Sequence, residues 1–272
     1  MISYTSQNTS TYLRMANSSF IFEQPLNERI RVFLRIEAVI ERLEFFKQQD
    51  NDHANYLALL TVLELTALVE RGDTKQETIK ELERQHKVLN ALISHQSVDK
   101  SRLELTLSKI KSALSKMHAM DGRLGEHLKQ VDFLLAIKQR AAIPGGSCDF
   151  DIPQLRFWLN QSYKSRLMDI DRWAQPYYQL GEIIQLILKL IRDSALAENV
   201  IAKNGFFQNS LDTALANQLL RIELSCENNI FPEISAGKHR YSIRILQAQD
   251  KSDQLPVQLK QDINFKLYLC AL

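Results

Sequence analysis

The stretch Ile143–Leu159, IPGGSCDFDIPQLRFWL, separates two parts of the chain that have different patterns. It contains the only Gly-Gly pair and two of the six prolines. Before it, apolar residues recur at helical spacing, and after it one more helical region gives way to strict alternation. We call this stretch the junction segment. It predicts a helical part that ends at Gly145-Gly146, followed by a short strand at Ser147–Phe150.

Composition places the chain among ordinary globular proteins and excludes several classes of function. The chain has 272 residues, of which 45% are hydrophobic and 24% charged. Its formal net charge of +2 gives no overall attraction to nucleic acid or membrane. The longest apolar run, Ile183–Ile191, is too short to cross a bilayer, so no direct membrane insertion is expected.

The cysteines and histidines predict neither a disulfide framework nor a metal site. The three cysteines, Cys148, Cys226 and Cys270, are odd in number and far apart. The six histidines form no H-E-x-x-H motif. We therefore expect reduced thiols in a cytoplasmic protein that has no metal and no cofactor.

The first two thirds of the chain read as an antiparallel helical bundle. Helices are predicted over residues 26–47, 52–71, 73–93, 100–117 and 125–142, with Asp73 and Asp99 as N-caps of the third and fourth. After the junction segment a short helix begins near Pro153 and continues to about Trp173. A long apolar helix is then predicted to open at Pro176 and to run to Ser194.

The last third alternates with a period of two, as half-buried antiparallel strands do. Tyr241, Ile243 and Ile245, for example, alternate with polar residues. The fold class predicted is therefore α+β, with an N-terminal helical bundle and a C-terminal antiparallel β-barrel or sandwich-like domain. We expect a loose extension at residues 1–19, a helical domain at 20–195 and a β-domain at 196–272. Short strands near 20–24 and 147–150 are expected to join the sheet, and Met15 is a possible alternative start.

A row of cations on one predicted strand is the best candidate site that spacing alone provides. Lys238, Arg240 and Arg244 share one face because side chains alternate along a strand. Four residues span roughly 13 Å at ~3.3 Å each, so the row could hold an acidic peptide through charge-assisted hydrogen bonds. The alternative is a solvated outer face of the sheet, or an edge strand protected by charge.

Each of the other arginines considered has a structural alternative. Arg35 lies four residues from Arg31 on a helix whose glutamates could pair with both. Arg71 precedes Gly72 at a helix end, where a cation is favourable in itself. Arg156 could extend along an apolar surface. Trp158, Trp173, Phe206 and Phe207 are predicted to be core residues. No catalytic motif is present, so no catalytic residues and no enzyme activity are predicted.

Four segments together resemble the bacterial cell-division family ZapD, the Z-ring-associated protein D. They are FEQPLNERIRVFLRIE (22–37), the junction segment, KNGFFQ (203–208) and FPEISAGKHRYSIRI (231–245). They occur in the family's order and span nearly the whole chain after the N-terminal extension.

The resemblance implies a cytoplasmic, non-enzymatic dimer located at the mid-cell division ring. Such a protein binds the C-terminal tail of the tubulin-like GTPase FtsZ and cross-links FtsZ filaments into bundles. By position, the family's basic tail-binding residues fall on Arg35, Arg71, Arg156, Arg240 and Arg244, and Lys238 adjoins the last two. Asp132 stands where relatives can carry a basic residue. The hypothesis is one basic groove between the two domains.

A nucleic-acid-binding protein that uses the basic strand 238–245 is the alternative function. It predicts aromatic side chains interleaved with the cations on the exposed face. Tyr241 is predicted to point inward instead, so the partners expected are FtsZ and a second copy of the chain, without nucleic acid.

Overall fold

A computed structural model describes residues 19–70, 72–95, 98–120, 122–212, 214–225, 229–249 and 253–272. These residues form two compact units. The β-unit holds the described residues up to Arg31 together with Lys189–Leu272, and the helical unit holds Val32–Leu188. The N-terminal strand and the first residues of the first helix therefore belong with the C-terminal strands. The predicted boundaries instead placed residues 20–195 in the helical part.

Seven α-helices are present among the described residues, as the α+β prediction requires. They are α1 (Glu28–Lys47), α2 (Asp52–Glu70), α3 (Thr74–Ala91), α4 (Lys100–Ala119), α5 (Asp132–Arg140), α6 (Pro153–Leu159) and α7 (Tyr163–Arg192). Two 3-10 turns, Leu92–Ser94 and Glu126–Gln130, lie between them. None of the helices in the described ranges is both long enough and apolar enough to traverse a bilayer.

The predicted caps of α3 and α4 are confirmed. The Asp73 carboxylate accepts a hydrogen bond from the Gln76 amide at 3.2 Å, and Asp99 accepts one from the Arg102 amide at 3.0 Å. Each bond satisfies an amide that has no partner within the helix. The single helix predicted over residues 125–142 is wrong: it is divided at Val131 into a 3-10 turn and α5.

Pro176 lies inside α7 and does not open a helix there. Proline removes one backbone donor, yet α7 continues because Trp173, Ala174, Tyr177 and Leu180 are buried on both sides of it. The ring nitrogen Nε2 of His127 donates to the Trp173 carbonyl at 3.0 Å and supplies it with a side-chain partner. Tertiary packing therefore outweighs the local helix-breaking signal.

Residues 147–150 form turns, so the strand predicted there is wrong. Gly145 has φ +72°, a left-handed conformation that suits glycine. The amide of Gly146 then donates to Ile143 at 2.9 Å, and that of Cys148 donates to Gly145 at 3.1 Å. Because these backbone groups are bonded within successive turns, they are not available to a sheet.

Within the described ranges, eight strands make two antiparallel four-stranded sheets. They are β1 (Ser19–Pro25), β2 (Glu198–Ala202), β3 (Phe206–Ser210), β4 (Leu219–Ser225), β5 (Ile230–Ala236), β6 (Arg240–Gln247), β7 (Val257–Gln258) and β8 (Ile263–Cys270). The first sheet has the order β1-β4-β8-β2, and the second has the order β3-β6-β5 with β7 also paired to β6. The short strand expected near residues 20–24 is β1, which pairs with β4 from Ser19↔Ser225 to Pro25↔Leu219.

One hydrophobic cluster joins the two sheets, so the β-unit is a sandwich and is not a closed barrel. Ile222 and Leu267 of the first sheet and Tyr241 and Ile243 of the second belong to it. The alternation predicted for β6 is confirmed, since Tyr241, Ile243 and Ile245 are all buried. This alternation turns the intervening residues of β6 outward, and these include two of the candidate arginines.

Candidate functional site

The outer face of β6 carries Arg240 and Arg244, both exposed, with Ser242 between them. The register places Ser210, Gln208 and Phe206 of β3 opposite these three residues on one side. Glu233 and Ser235 of β5 lie opposite Arg244 and Ser242 on the other side. The two guanidinium groups are therefore fixed on one surface by the sheet, as the sequence predicted. Arg240 forms no ion pair within the described ranges.

Arg244 has one carboxylate partner on the neighbouring strand. Its Nε lies 3.3 Å from Oε2 of Glu233, and both side chains are 55% exposed. An exposed pair of this kind contributes only ~0–1 kcal/mol, because water screens both charges. Arg244 can therefore exchange Glu233 for another carboxylate at little cost.

Lys238 is not part of the strand, which corrects the prediction. β6 begins at Arg240, and Lys238 lies in the connection between β5 and β6. There the amide of Gly237 donates to the carbonyl of Arg240 at 2.9 Å and closes the turn. Lys238 is exposed but is not held in the alternating row.

A cavity of about 320 Å³ opens beside Arg240 in the β-unit. Its walls come from both strands that flank β6 and from the turn before it. They are formed by Gln208, Ser235, Ala236, Gly237, Arg240, Tyr241 and Ser242. The amide and hydroxyl groups of this wall can bind a polar ligand group next to the guanidinium.

Arg156 is held on α6, whose opposite face is firmly anchored in the helical unit. Leu155 and Trp158 are buried. The Trp158 ring packs 5.9 Å from Phe133 and 6.0 Å from Trp173, and its Nε1 donates to Asp169 at 3.0 Å. The Arg156 side chain is exposed and lies 3.8 Å from Asp149 in the turn before α6. Arg156 is therefore exposed on a helix whose other face is buried.

The other predicted positions are Arg35, Arg71 and Asp132, and none of them lies on β6. Arg35 is an exposed residue of α1 and has no ion pair within the described part of the chain, whereas Arg31 pairs with Glu28 at 2.5 Å. Arg71 lies outside the described residues. Asp132 begins α5, and Lys129 before it lies 3.8 Å from Glu70, so that cation already has a partner.

Sequence reasoning missed the aromatic neighbours of these cations. Trp158 and Trp173 are core residues as predicted, but Phe206 is 41% exposed on the outer face of β3. Phe157, which follows Arg156, is 68% exposed. A strict alternation from Phe206 to Gln208 would have indicated that Phe206 and Phe207 point to opposite faces.

Burial raises the pKa of Tyr241, which lies on β6 between the two arginines and faces the core. Burial raises the pKa of the Cys270 thiol to about 11 and that of Tyr177 to about 12. The hydrogen bond from Tyr268 lowers the pKa of Glu223, and Lys266 and Ser19 assist it. No group of three or more His, Cys, Asp or Glu side chains in the described ranges is arranged to hold a metal ion. The arrangement around the arginines is one that binds anions.

Comparison with known proteins finds one family model and two relatives that match most of this chain. A family model described as "ZapD: Cell division protein" matches residues 34–244. A cell division protein ZapD from Methylococcus capsulatus is 36% identical over 255 residues, which cover 94% of this chain and 99% of that protein. A second ZapD, from Chromobacterium violaceum, is 36% identical over 249 residues, covering 92% of this chain and 98% of its own length.

Proposed function

This chain belongs to the ZapD family of cell division proteins, and on that premise we propose that it binds the C-terminal tail of FtsZ. By holding tails from two filaments it cross-links FtsZ into bundles, which supports assembly of the division septum. It acts in the cytoplasm at the mid-cell ring, as a dimer, and without catalysis or a cofactor. The observation that carries the proposal is the pair of exposed arginines on the outer face of β6.

The geometry of β6 suits a short acidic peptide. Arg240 and Arg244 are about 13 Å apart along the strand, a span of four residues at ~3.3 Å each. An extended peptide has the same rise, so carboxylates four residues apart can meet both guanidinium groups. Each guanidinium offers a planar fork of donors that matches a carboxylate. Arg244 needs only to release Glu233, its exposed partner.

Arg35 and Arg156 extend the proposed recognition to the helical unit. Both side chains are exposed, and the ion pair between Arg156 and Asp149 is long at 3.8 Å. Lys238 lies in a turn, so its positive charge attracts the acidic tail but does not fix the register of the tail along β6. Arg71 enters the proposal only through the family resemblance. These cations make binding sensitive to salt, since exposed charges are screened over ~10 Å at 0.1 M.

Bundling follows if each protomer of a symmetric dimer holds one tail. A mobile tail loses conformational entropy when it docks, so the affinity of a single site is modest. Two sites on one dimer can join two filaments, and the second contact then benefits from a high effective concentration. Bundling by a strictly monomeric form of the protein would contradict this mechanism.

Charge reversal on β6 tests the proposal. The double variant Arg240→Glu, Arg244→Glu should lose co-sedimentation with FtsZ polymers while its circular dichroism stays unchanged. The matched control reverses Lys109 and Lys111 of α4, which are exposed and change the net charge equally. The control should co-sediment and bundle normally. Normal bundling by the folded β6 variant would remove these arginines from the site.

A nucleic-acid-binding function is the second candidate, and one feature favours it. The exposed ring of Phe206 lies opposite Arg244, where a base could stack. Against it, Tyr241 points into the core between the two arginines. A gel-shift assay with single-stranded oligonucleotides separates the two functions. Tight binding that is lost in the β6 double variant, together with no binding of the FtsZ tail, would support the second candidate.

A further inference from the structure

An exposed phenylalanine stands beside the candidate arginines in each of the two units. Phe157 follows Arg156 in the helical unit and is 68% exposed. Phe206 is the register partner of Arg244 in the β-unit and is 41% exposed. Two independent surfaces thus combine a cation with an unburied aromatic ring. Phenylalanine and arginine are both enriched at protein interfaces relative to the rest of the surface.

Phe157 is not needed to hold α6 in place. The helix is anchored by Leu155 and Trp158 on its buried face and by the hydrogen bond from Trp158 to Asp169. Phe157 points away from that face. Its ring therefore extends from a rigid support, which reduces the entropy lost when a ligand packs against it.

The turn before α6 carries a second exposed ring. Asp149 of this turn lies 3.8 Å from Arg156 of α6. Phe150, the next residue, is 84% exposed. Phe150 and Phe157 are the two most exposed phenylalanines of the described residues.

Phe206 lies beside Arg244 on the second sheet, as Phe157 lies beside Arg156 on α6. Residues directly opposite on antiparallel strands have Cβ atoms ~4.5–5.5 Å apart, so the Phe206 ring can lie alongside the stem of Arg244. Glu233 occupies the other side of Arg244. The β6 surface therefore offers an apolar contact and a cation to one ligand segment.

We propose that Phe157 and Phe206 are apolar contact residues of the tail-binding surfaces. The ligand they select is a peptide segment in which an apolar side chain lies next to a carboxylate. This inference rests on the proposed function and deepens it, because a row of arginines alone would accept any polyanion. The phenylalanines make the sites discriminate an amphipathic acidic peptide from a purely acidic one.

The experiment measures binding of a fluorescein-labelled synthetic FtsZ C-terminal peptide to the full-length protein by anisotropy. The variants are Phe157→Ser and Phe206→Ser, with Leu105→Ser as the matched control, since Leu105 is 58% exposed on α4. Each phenylalanine variant should weaken binding roughly fivefold to tenfold, as expected from burying about half of a phenylalanine side chain. The control should bind as the unaltered protein does.

Salt separates the apolar contribution from the charged one. The loss in Phe157→Ser and Phe206→Ser should be the same at low and high salt, whereas Arg156→Ala and Arg244→Ala should flatten the salt dependence. Leucine in place of either phenylalanine should retain most of the affinity, and these variants preserve packing if a serine variant folds poorly. An all-glutamate peptide of equal length should compete weakly with the unaltered protein.

The possible results test the role of the phenylalanines separately from the proposed binding of the FtsZ tail. If the unaltered protein binds the peptide and both serine variants match the Leu105→Ser control, the phenylalanines are not contact residues and the inference is overturned. If the unaltered protein does not bind the peptide, the proposed function fails and the inference falls with it. Equal competition by the all-glutamate peptide would also overturn the inference.

Discussion

Replacing Arg166 by methionine should destabilise the helical unit strongly. The Arg166 side chain is 6% exposed. Its Nε donates to Asn55 at 2.6 Å, and its Nη1 donates to the carbonyls of Leu159 and Gln161 at 2.5 and 2.6 Å. These carbonyls lie at the end of α6 and in the connection to α7. Arg166 therefore fixes the helix that carries Arg156.

The magnitude follows from the bonds that are lost. Three charge-assisted hydrogen bonds to buried or half-buried partners disappear, and two carbonyls and one amide oxygen lose their donor. Leaving a buried acceptor without its donor costs ~1–3 kcal/mol, so the three acceptors together lose at least ~3 kcal/mol. The contacts with Asp50 and Asp52 add little because these carboxylates are 70% and 52% exposed. We expect the free energy of unfolding to fall by about 3–5 kcal/mol, the lower part of the range for three unsatisfied acceptors.

Tryptophan fluorescence during urea unfolding measures this change in the helical unit alone. The chain has two tryptophans, and Trp158 and Trp173 both lie in that unit. With a slope of ~2 kcal/mol per molar urea, the midpoint should fall by roughly 1.5–2.5 M. The control Lys80→Met removes an exposed pair with Glu77 and should shift the midpoint by less than ~0.3 M. A shift in Arg166→Met no larger than in the control would refute this reasoning.

Two further predictions concern titratable groups of the β-unit. Burial raises the pKa of Cys270 to about 11, so its thiolate is scarce at pH 8. Iodoacetamide should then modify exposed Cys148 in the native protein and leave Cys270 unmodified, as peptide mass spectrometry would show; equal labelling of the two would contradict this. Glu223 has a lowered pKa, so its stabilisation is present above the ordinary carboxyl pKa and is lost as pH falls through the lower folded value. Glu223→Gln should flatten the acid side of the stability profile, measured by thermal unfolding at several pH values, and an unchanged profile would count against the Tyr268 bond.

Helix caps and strand alternation could be predicted from the sequence because they depend on residues that are close together in the chain. Asp73 and Asp99 cap helices because their side chains reach amides only three residues away. The alternation in β6 reflects a single buried face, so Tyr241 and Ile243 were assigned correctly. Pro176 was misread because burial on both sides keeps α7 continuous, which depends on contacts distant in sequence.

The sequence predicted the arginines of the candidate site but not the residues that lie next to them. The row Arg240 and Arg244 follows from alternation, whereas Arg156 was named only through the family resemblance. Glu233 and Phe206 become neighbours of Arg244 only through the strand register, which depends on how β5 and β3 pair with β6. Lys238 was misplaced because β6 begins at Arg240, two residues later than the charge pattern suggested.

The most direct test is a titration of the labelled FtsZ C-terminal peptide into the full-length protein at low and high salt, repeated with Arg240→Glu, Arg244→Glu. Binding should be saturable at low salt, weaken as salt rises and disappear in the double variant, because the two exposed guanidinium groups of β6 carry the recognition. An affinity that is unchanged by salt and by the double variant would contradict the account.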